Sequence, residues 1–404
     1  MIKRPLYLNR IIPFIDKPQI KILVGVRRAG KSTLLEYVKE LLLEKGKALD
    51  SIVHINFDAL EYTNVRDKET FLALIKKLYS DGKRYFLLDE VQNIEQWDEV
   101  ISALFAEKDT DIYITGSNSK LLSTELSTFL TGRYLNIYVS TLNFSEFLDF
   151  KKARGEDISN LDETFAEYME RGGFPAIHLS SQSLSQCDQI ISDICSSIVL
   201  RDLVERHNIR NTDLLNRIIK YIFDNIGNIF SAKSISDHLK AERRNLNPET
   251  IYNYLNWLEE ALVIKRVSRY DLRGKVILKT QEKFFLTDIG FLYAVNGRGE
   301  SYKSGILENI VYHELISHGY KVYLGKNDTK EIDFVAEKNH SPIYIQVTST
   351  LDSDETINRE FSAFDKITDN YPKYVVSMDK LDAWNKDRNG IKHKYLPKFI
   401  LEDL

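Results

Sequence analysis

The chain has 404 residues, 43% of them apolar and 28% charged, with a formal net charge of -4. This length exceeds one ordinary core and predicts two or three domains, while the slightly acidic balance excludes a general affinity for nucleic acid, so any such binding must be local. No apolar run approaches the roughly 18 residues of a membrane helix, Met1 to Pro5 opens no signal peptide, and Cys187 and Cys195 form no metal or redox motif, which together predict a cytoplasmic protein with reduced thiols.

In chain order, the first clear element is the apolar stretch Ile20 to Val24, which reads as a buried strand. Gly25-Val26-Arg27-Arg28-Ala29-Gly30-Lys31-Ser32 follows, matching the phosphate-binding pattern G-x-x-x-x-G-K-[ST]. Apolar spacing through Leu34, Leu35, Val38, Leu41 and Leu42 then predicts a helix. In that strand–loop–helix context the glycines let backbone N–H groups close around phosphates, and the helix N-terminus adds positive potential. Lys31 is placed on the outer phosphates and Ser32 on Mg²⁺. Ala29 and Thr33 complete the loop contacts, and Arg27 and Arg28 are candidates for phosphate or partner contacts.

Strands predicted at 52–57, 84–88, 112–115 and 134–139 alternate with helices at 71–79 and 97–105, the pattern of a parallel sheet covered on both faces. The strand at 84–88 runs directly into Asp89-Glu90. An apolar strand ending in two acids, after a phosphate loop, places Asp89 in the Mg²⁺ shell and Glu90 as the base for the attacking water. Ile112 to Asn118 is a further strand ending in small polar residues, with Asn118, or Ser117, as a sensor of the γ-phosphate. Arg133 precedes the last strand and is a candidate arginine finger, in cis or from a neighbouring subunit. Gly172-Gly173-Phe174-Pro175 reads as a hinge for a small helical lid.

These segments, with Leu200-Arg201-Asp202-Leu203-Val204-Glu205-Arg206, resemble the prokaryotic AAA-type ATPase family that joins an ATPase module to a C-terminal domain of unknown function. The resemblance covers nearly the whole chain. It implies an α/β AAA+ core with strand order 5-1-4-3-2, a helical lid, and Mg²⁺-dependent hydrolysis of ATP. This module is assigned residues 1–205.

Residues 206–300 read as three helices and a β-hairpin, a winged helix. From Ser231 to Thr280 ten Lys and Arg face six Asp and Glu, a local basic patch in which Arg243, Arg244, Arg273 and Lys275 are candidate DNA phosphate contacts. The same module could equally serve only for packing or for docking a protein partner, and the protein as a whole could form a homo-oligomer. Residues 301–404 resemble the restriction-endonuclease-like fold, with Asp333 on one strand, Gln346 on the next and Glu308 on the preceding helix. That motif's lysine position holds Thr348, so a degenerate nuclease site is expected. His313 and His318 are five apart, not the i, i+4 spacing of a helical zinc site.

Overall fold

The computed structural model describes residues 2–122, 133–241, 247–272, 274, 276–299, 303–327, 330–380 and 388–404. Two compact units divide the chain: Met1–Thr141 with Glu260–Leu262, and Leu142–Glu259 with Val263–Leu404.

The first unit opens with helix α1 (Pro5–Ile11), whose proline supplies a preset φ in the first turn. Strands β1 (Ile20–Val24), β2 (Ile52–Asn56), β3 (Tyr85–Asp89), β4 (Asp111–Gly116) and β5 (Tyr134–Tyr138) form one sheet. Its order is β2-β3-β4-β1-β5, parallel at every pairing. The order is that implied by the family resemblance. Helices α2 (Lys31–Glu44), α3 (Lys68–Ser80) and α4 (Trp97–Phe105) follow β1, β2 and β3.

Every residue of β1 and β4 is buried, as expected of central strands covered on both faces. The exceptions to their apolar character are satisfied internally. Lys21, fully buried, forms an ion pair with Asp111, which also accepts from the Tyr113 hydroxyl at 2.9 Å. In a parallel sheet all strands end on the same side, so the segments after β1, β3 and β4 converge there.

The second unit starts with helices Phe144–Ala153, Leu161–Arg171 and Leu184–Ser197. The first and third carry capping boxes, Asn143 with Glu146 and Ser183 with Gln186, which satisfy two orphan N–H groups each. A π-helical stretch, Ile198–Glu205, covers the Leu200–Glu205 segment. Helix Thr212–Asp224, the short strand β6 (Ile229–Phe230) and helices Ala232–Ala241 and Pro248–Glu260 come next; β6 joins a sheet with β7 (Ile264–Asp271), β8 (Val276–Leu286), β9 (Lys321–Asn327), β10 (Lys330–Lys338), β11 (Ser341–Val347), β12 (Lys373–Ser377) and β13 (Ile391–Tyr395). The order is β13-β12-β11-β10-β9-β7-β8-β6. Among the described residues no helix is long and apolar enough to cross a membrane.

Three expectations are corrected here. The first unit ends at Thr141 rather than near 205, and the helices expected as its lid belong to the second unit. Segments 206–300 and 301–404 are not separate bodies, because β7 pairs in parallel with β9 and makes their strands one sheet. The Gly172-Gly173 step is packed, not hinged. A Cβ on Gly172 would lie 2.2 Å from Asp288 Oδ1, and one on Gly173 would lie 2.2 Å from the Leu142 carbonyl oxygen. Asp288 also accepts the Gly173 N–H at 2.8 Å.

Candidate functional site

The loop between β1 and α2 is built by residues that only its sequence permits. A Cβ on Gly25 would lie 2.0 Å from the Val139 carbonyl oxygen, so the position accepts no side chain. Gly30 caps α2 with a left-handed φ of 96°, a conformation glycine adopts without strain. Lys31 is buried and folds its ammonium into the loop, donating to the Gly25 and Val26 carbonyls at 2.9 and 3.1 Å. Ser32 and Thr33 are exposed at the head of α2. Arg27 lies 3.8 Å from Asp58, and Arg28 is exposed with a φ of 66°.

Asp89 and Glu90 stand at the end of β3, beside this loop. The Thr115 hydroxyl, from the end of β4, donates to Asp89 Oδ1 and accepts the Glu90 N–H at 3.0 Å. Asp89 Oδ2 is buried and accepts no hydrogen bond. Burial raises the pKa of Asp89 against the lowering effect of the Ser32 and Thr115 hydroxyls. Glu90 behaves oppositely. Burial works to raise its pKa, but Lys31, 3.7 Å away, together with Gln92 and Arg27, holds it below the usual carboxylate range. Its backbone is left-handed at φ 59°, a cost of order 1–3 kcal/mol that concentrates at functional sites.

Gln92 donates from Nε2 to Glu90 Oε2 and, at 3.3 Å, to Ser117 Oγ. Ser117 Oγ donates to Glu90 Oε2 at 3.3 Å. Ser117 therefore reaches Glu90 from the end of β4; Asn118 is buried next to it. Arg133 is corrected as a finger in cis. Its carbonyl accepts the Ile20 N–H at 2.9 Å, and Tyr134 pairs with Ile20 at the start of β1. The loop leaves from the other end of β1, a strand length of roughly 16 Å away. The Arg133 guanidinium lies over the Phe105 ring instead, 5.8 Å from its centroid.

In the second unit the structure brings Glu308, Asp333 and Gln346 together. Gln346 Oε1 accepts the Asp333 N–H at 3.2 Å, and Asp333 Oδ2 accepts the Val347 N–H at 2.9 Å. Thr348 donates to the Thr350 carbonyl at 3.2 Å. The cation comes from β8. Lys283 forms a hydrogen-bonded ion pair with Glu308 and lies 3.8 Å from Asp333. Glu360 is buried nearby with Oε2 unbonded. Burial, with Asp333 and Glu360 adding repulsion, pushes Glu308 up to about 8 despite Lys283. The position of Thr348 thus misleads: a lysine is present, on another strand. Arg243, Arg244, Arg273 and Lys275 lie outside the described residues.

Residues 17–148 match the model of an AAA domain, while 162–302 and 303–396 match two domains of unknown function. An uncharacterized protein of Haemophilus influenzae is 38% identical over 405 aligned residues, covering 100% of this chain and 99% of the relative. The chain belongs to the prokaryotic AAA-type ATPases with C-terminal domains of unknown function. An uncharacterized family relative from Methanocaldococcus jannaschii is 30% identical, with 90% of this chain and 82% of the relative aligned. Among solved structures, the Walker-type ATPase of Pyrococcus abyssi aligns at a TM-score of 0.45 with 14% identity, covering 73% of this chain and 96% of that one.

Sequence reading of this AAA-type ATPase missed Thr115, Gln92 and Lys283. Thr115 ends an apolar strand beside the acids, a signal that was available. Gln92 follows Glu90 by two residues, and nothing in the strand-plus-acids pattern singles it out. Lys283 had no signal, being 25 residues from Glu308 in sequence.

Proposed function

We propose that the first unit binds and hydrolyses ATP with Mg²⁺, and that this cycle controls a second unit acting on DNA. The observation that carries the hydrolytic reading is Glu90, buried yet held ionised by Lys31 next to the unsatisfied Asp89 Oδ2. Asp89 and Ser32 have the hard oxygen donors that fit Mg²⁺, which when bound would neutralise charge on the phosphate oxygens. Lys31 exchanges its loop carbonyls for phosphate oxygens. Glu90 accepts the proton of the attacking water, and Ser117 and Gln92 fix the carboxylate's orientation. Asn118 remains the residue proposed to face the γ-phosphate.

Support for DNA comes from the three helices followed by the β7–β8 hairpin, with β6 closing antiparallel on β8, which we read as a winged helix, and from the excess of basic residues between Ser231 and Thr280. In the C-terminal site Lys283 pairs with Glu308 and lies 3.8 Å from Asp333, so both acids are engaged by a cation of the chain itself. We read that site as a binding or structural one without cleavage activity. Among the described residues no three His, Cys, Asp or Glu side chains are arranged to hold a metal ion.

The test is ATP turnover of the wild type and Lys31→Ala, with and without double-stranded DNA, with light scattering on the same samples. Turnover lost in Lys31→Ala and stimulated by DNA supports the proposal. Turnover retained in Lys31→Ala refutes the ATPase assignment. ATP-dependent assembly indifferent to DNA replaces the DNA reading with that of a switch for a protein partner.

A further inference from the structure

Arg4 precedes α1 and is only 4% exposed. A buried guanidinium is costly unless its donors are satisfied, and here backbone carbonyls satisfy them. Nη1 donates to the Ala29 carbonyl, inside the phosphate loop, at 2.7 Å. Nη2 donates to the Ser140 and Thr141 carbonyls at 3.0 and 3.2 Å. The guanidinium also stacks on Tyr7, 4.5 Å from the ring centroid. The Tyr7 hydroxyl in turn accepts the Ser140 N–H at 3.0 Å.

The Ala29 contact has a geometric consequence. In a planar trans peptide the C=O and the following N–H point in opposite directions. Pinning the Ala29 carbonyl to Arg4 therefore aims the Gly30 N–H away from Arg4. A full positive charge on the carbonyl also polarises that peptide and strengthens its N–H as a donor. The other two carbonyls anchor the guanidinium to the segment just after β5, against which Gly25 is also packed.

We infer that Arg4 is a positioning residue for the nucleotide: it holds the Ala29–Gly30 peptide so that the Gly30 N–H is presented to a bound phosphate, and it fastens the loop to Ser140 and Thr141. This rests on the ATPase reading above, but part of it is measurable without nucleotide. A lysine cannot reach both anchor points with one fork, so Arg4→Lys is a graded perturbation. Tyr7→Phe is a milder perturbation of the same anchor: it removes the hydroxyl that accepts from Arg4 Nη2 at 3.5 Å and from the Ser140 N–H, and keeps the ring beneath the guanidinium and the Ala29 bond.

The experiment measures ATP affinity by titration calorimetry, kcat and KM, thermal midpoints, and amide exchange across residues 25–33 in the nucleotide-free protein. Arg4→Ala and Arg4→Lys are expected to accelerate exchange in the loop. They are also expected to weaken ATP binding about 10- to 100-fold, the value of a hydrogen bond to a charged group, with Arg4→Lys the milder. Tyr7→Phe is expected to lower the thermal midpoint and to change loop exchange and affinity less than Arg4→Lys does, because the Ala29 bond is kept. If Arg4→Ala does not fold, Arg4→Lys carries the comparison. Wild-type loop exchange in the folded Arg4 variants overturns the inference, as does a Tyr7→Phe affinity loss equal to theirs. A wild type that binds no ATP, with loop exchange still accelerated by Arg4→Lys, refutes the ATPase reading while leaving the loop-holding role standing.

Discussion

Glu314 gives the second unit a pH dependence of definite sign. The residue is 1% exposed. Its Oε1 accepts the Phe144 N–H at 2.6 Å, in the first turn of helix Phe144–Ala153, while Oε2 is buried without a hydrogen bond. Burial, with a contribution from Glu146, pushes the carboxyl from 4.5 up to about 8, against the lowering effect of the Phe144 N–H. His318 Nδ1 is 3.8 Å from Oε2. Between those two values the folded chain holds a proton that the unfolded chain has released, so stability falls as pH rises. The contribution is fully present below pH 4.5 and lost above about 8. A displacement of roughly 3.5 units corresponds to about 5 kcal/mol in the limit, and about 4 kcal/mol of it falls between pH 5 and 8.5. Glu314→Gln keeps the acceptor for Phe144 and cannot ionise. It introduces an amide where Oε2 was, so the variant should be no more stable than wild type at pH 5 and clearly more stable at pH 8.5. Urea melts at several pH values would show this crossing, and native-state exchange of the Phe144 amide would localise it. Glu308 contributes with the same sign, so the difference between the two proteins is the quantity to read. Parallel stability curves for the two would refute the reasoning.

Three further outcomes follow from the sites. Glu90→Gln should bind ATP and hydrolyse it about 10²–10⁴-fold more slowly, since the base is gone; equal single-turnover rates would move the base elsewhere. Ser117→Ala should lower kcat with little change in ATP affinity, because its hydroxyl hydrogen-bonds Glu90 and Gln92; an affinity loss without a kcat effect would count against that role. Lys283→Ala should cost about 3–5 kcal/mol at pH 8 by leaving buried carboxylates uncompensated, and less at pH 5 where they take up protons, whereas Thr348→Ala should stay within about 1 kcal/mol; equal melts for the two variants would show that Lys283 does not hold the cluster.

The first unit was legible because its chemistry is local. Strand β1, the loop and α2 are contiguous, and the glycines at 25 and 30 are forced by contacts and dihedrals that follow from that geometry. The acids at 89 and 90 were legible for the same reason, since in a parallel sheet the ends of β1 and β3 must lie on one side. That rule also contained the answer for Arg133. A residue immediately before a strand lies at the opposite end from a loop immediately after a parallel one, so parallel topology alone separates Arg133 from the phosphate loop by the length of the strand. The Gly172-Gly173 reading failed for a different reason. Free rotation and close approach both require a residue without a Cβ, and sequence cannot separate them; only the crowding by Asp288 and Leu142 does.

The C-terminal site shows where local reading stops. A strand motif assigns a charge to a residue position, but electrostatics acts on a charge at a point in space. The sequence pattern asked whether position 348 held a lysine. The fold answers with Lys283, carried by β8 to within 3.8 Å of Asp333. It gets there because β8 pairs with β7, β7 pairs with β9, and β9 with β10, which bears Asp333. None of those pairings except the hairpins is announced by a turn, and the parallel β7–β9 pairing crosses the boundary where a domain break was expected. The same pairing that merged two expected domains into one sheet therefore also supplied the missing cation. An ammonium held between two carboxylates neutralises the site from within. A site built this way has less need of an external cation than one lined by carboxylates alone, and this is the physical reason to expect it to bind or to brace rather than to cut.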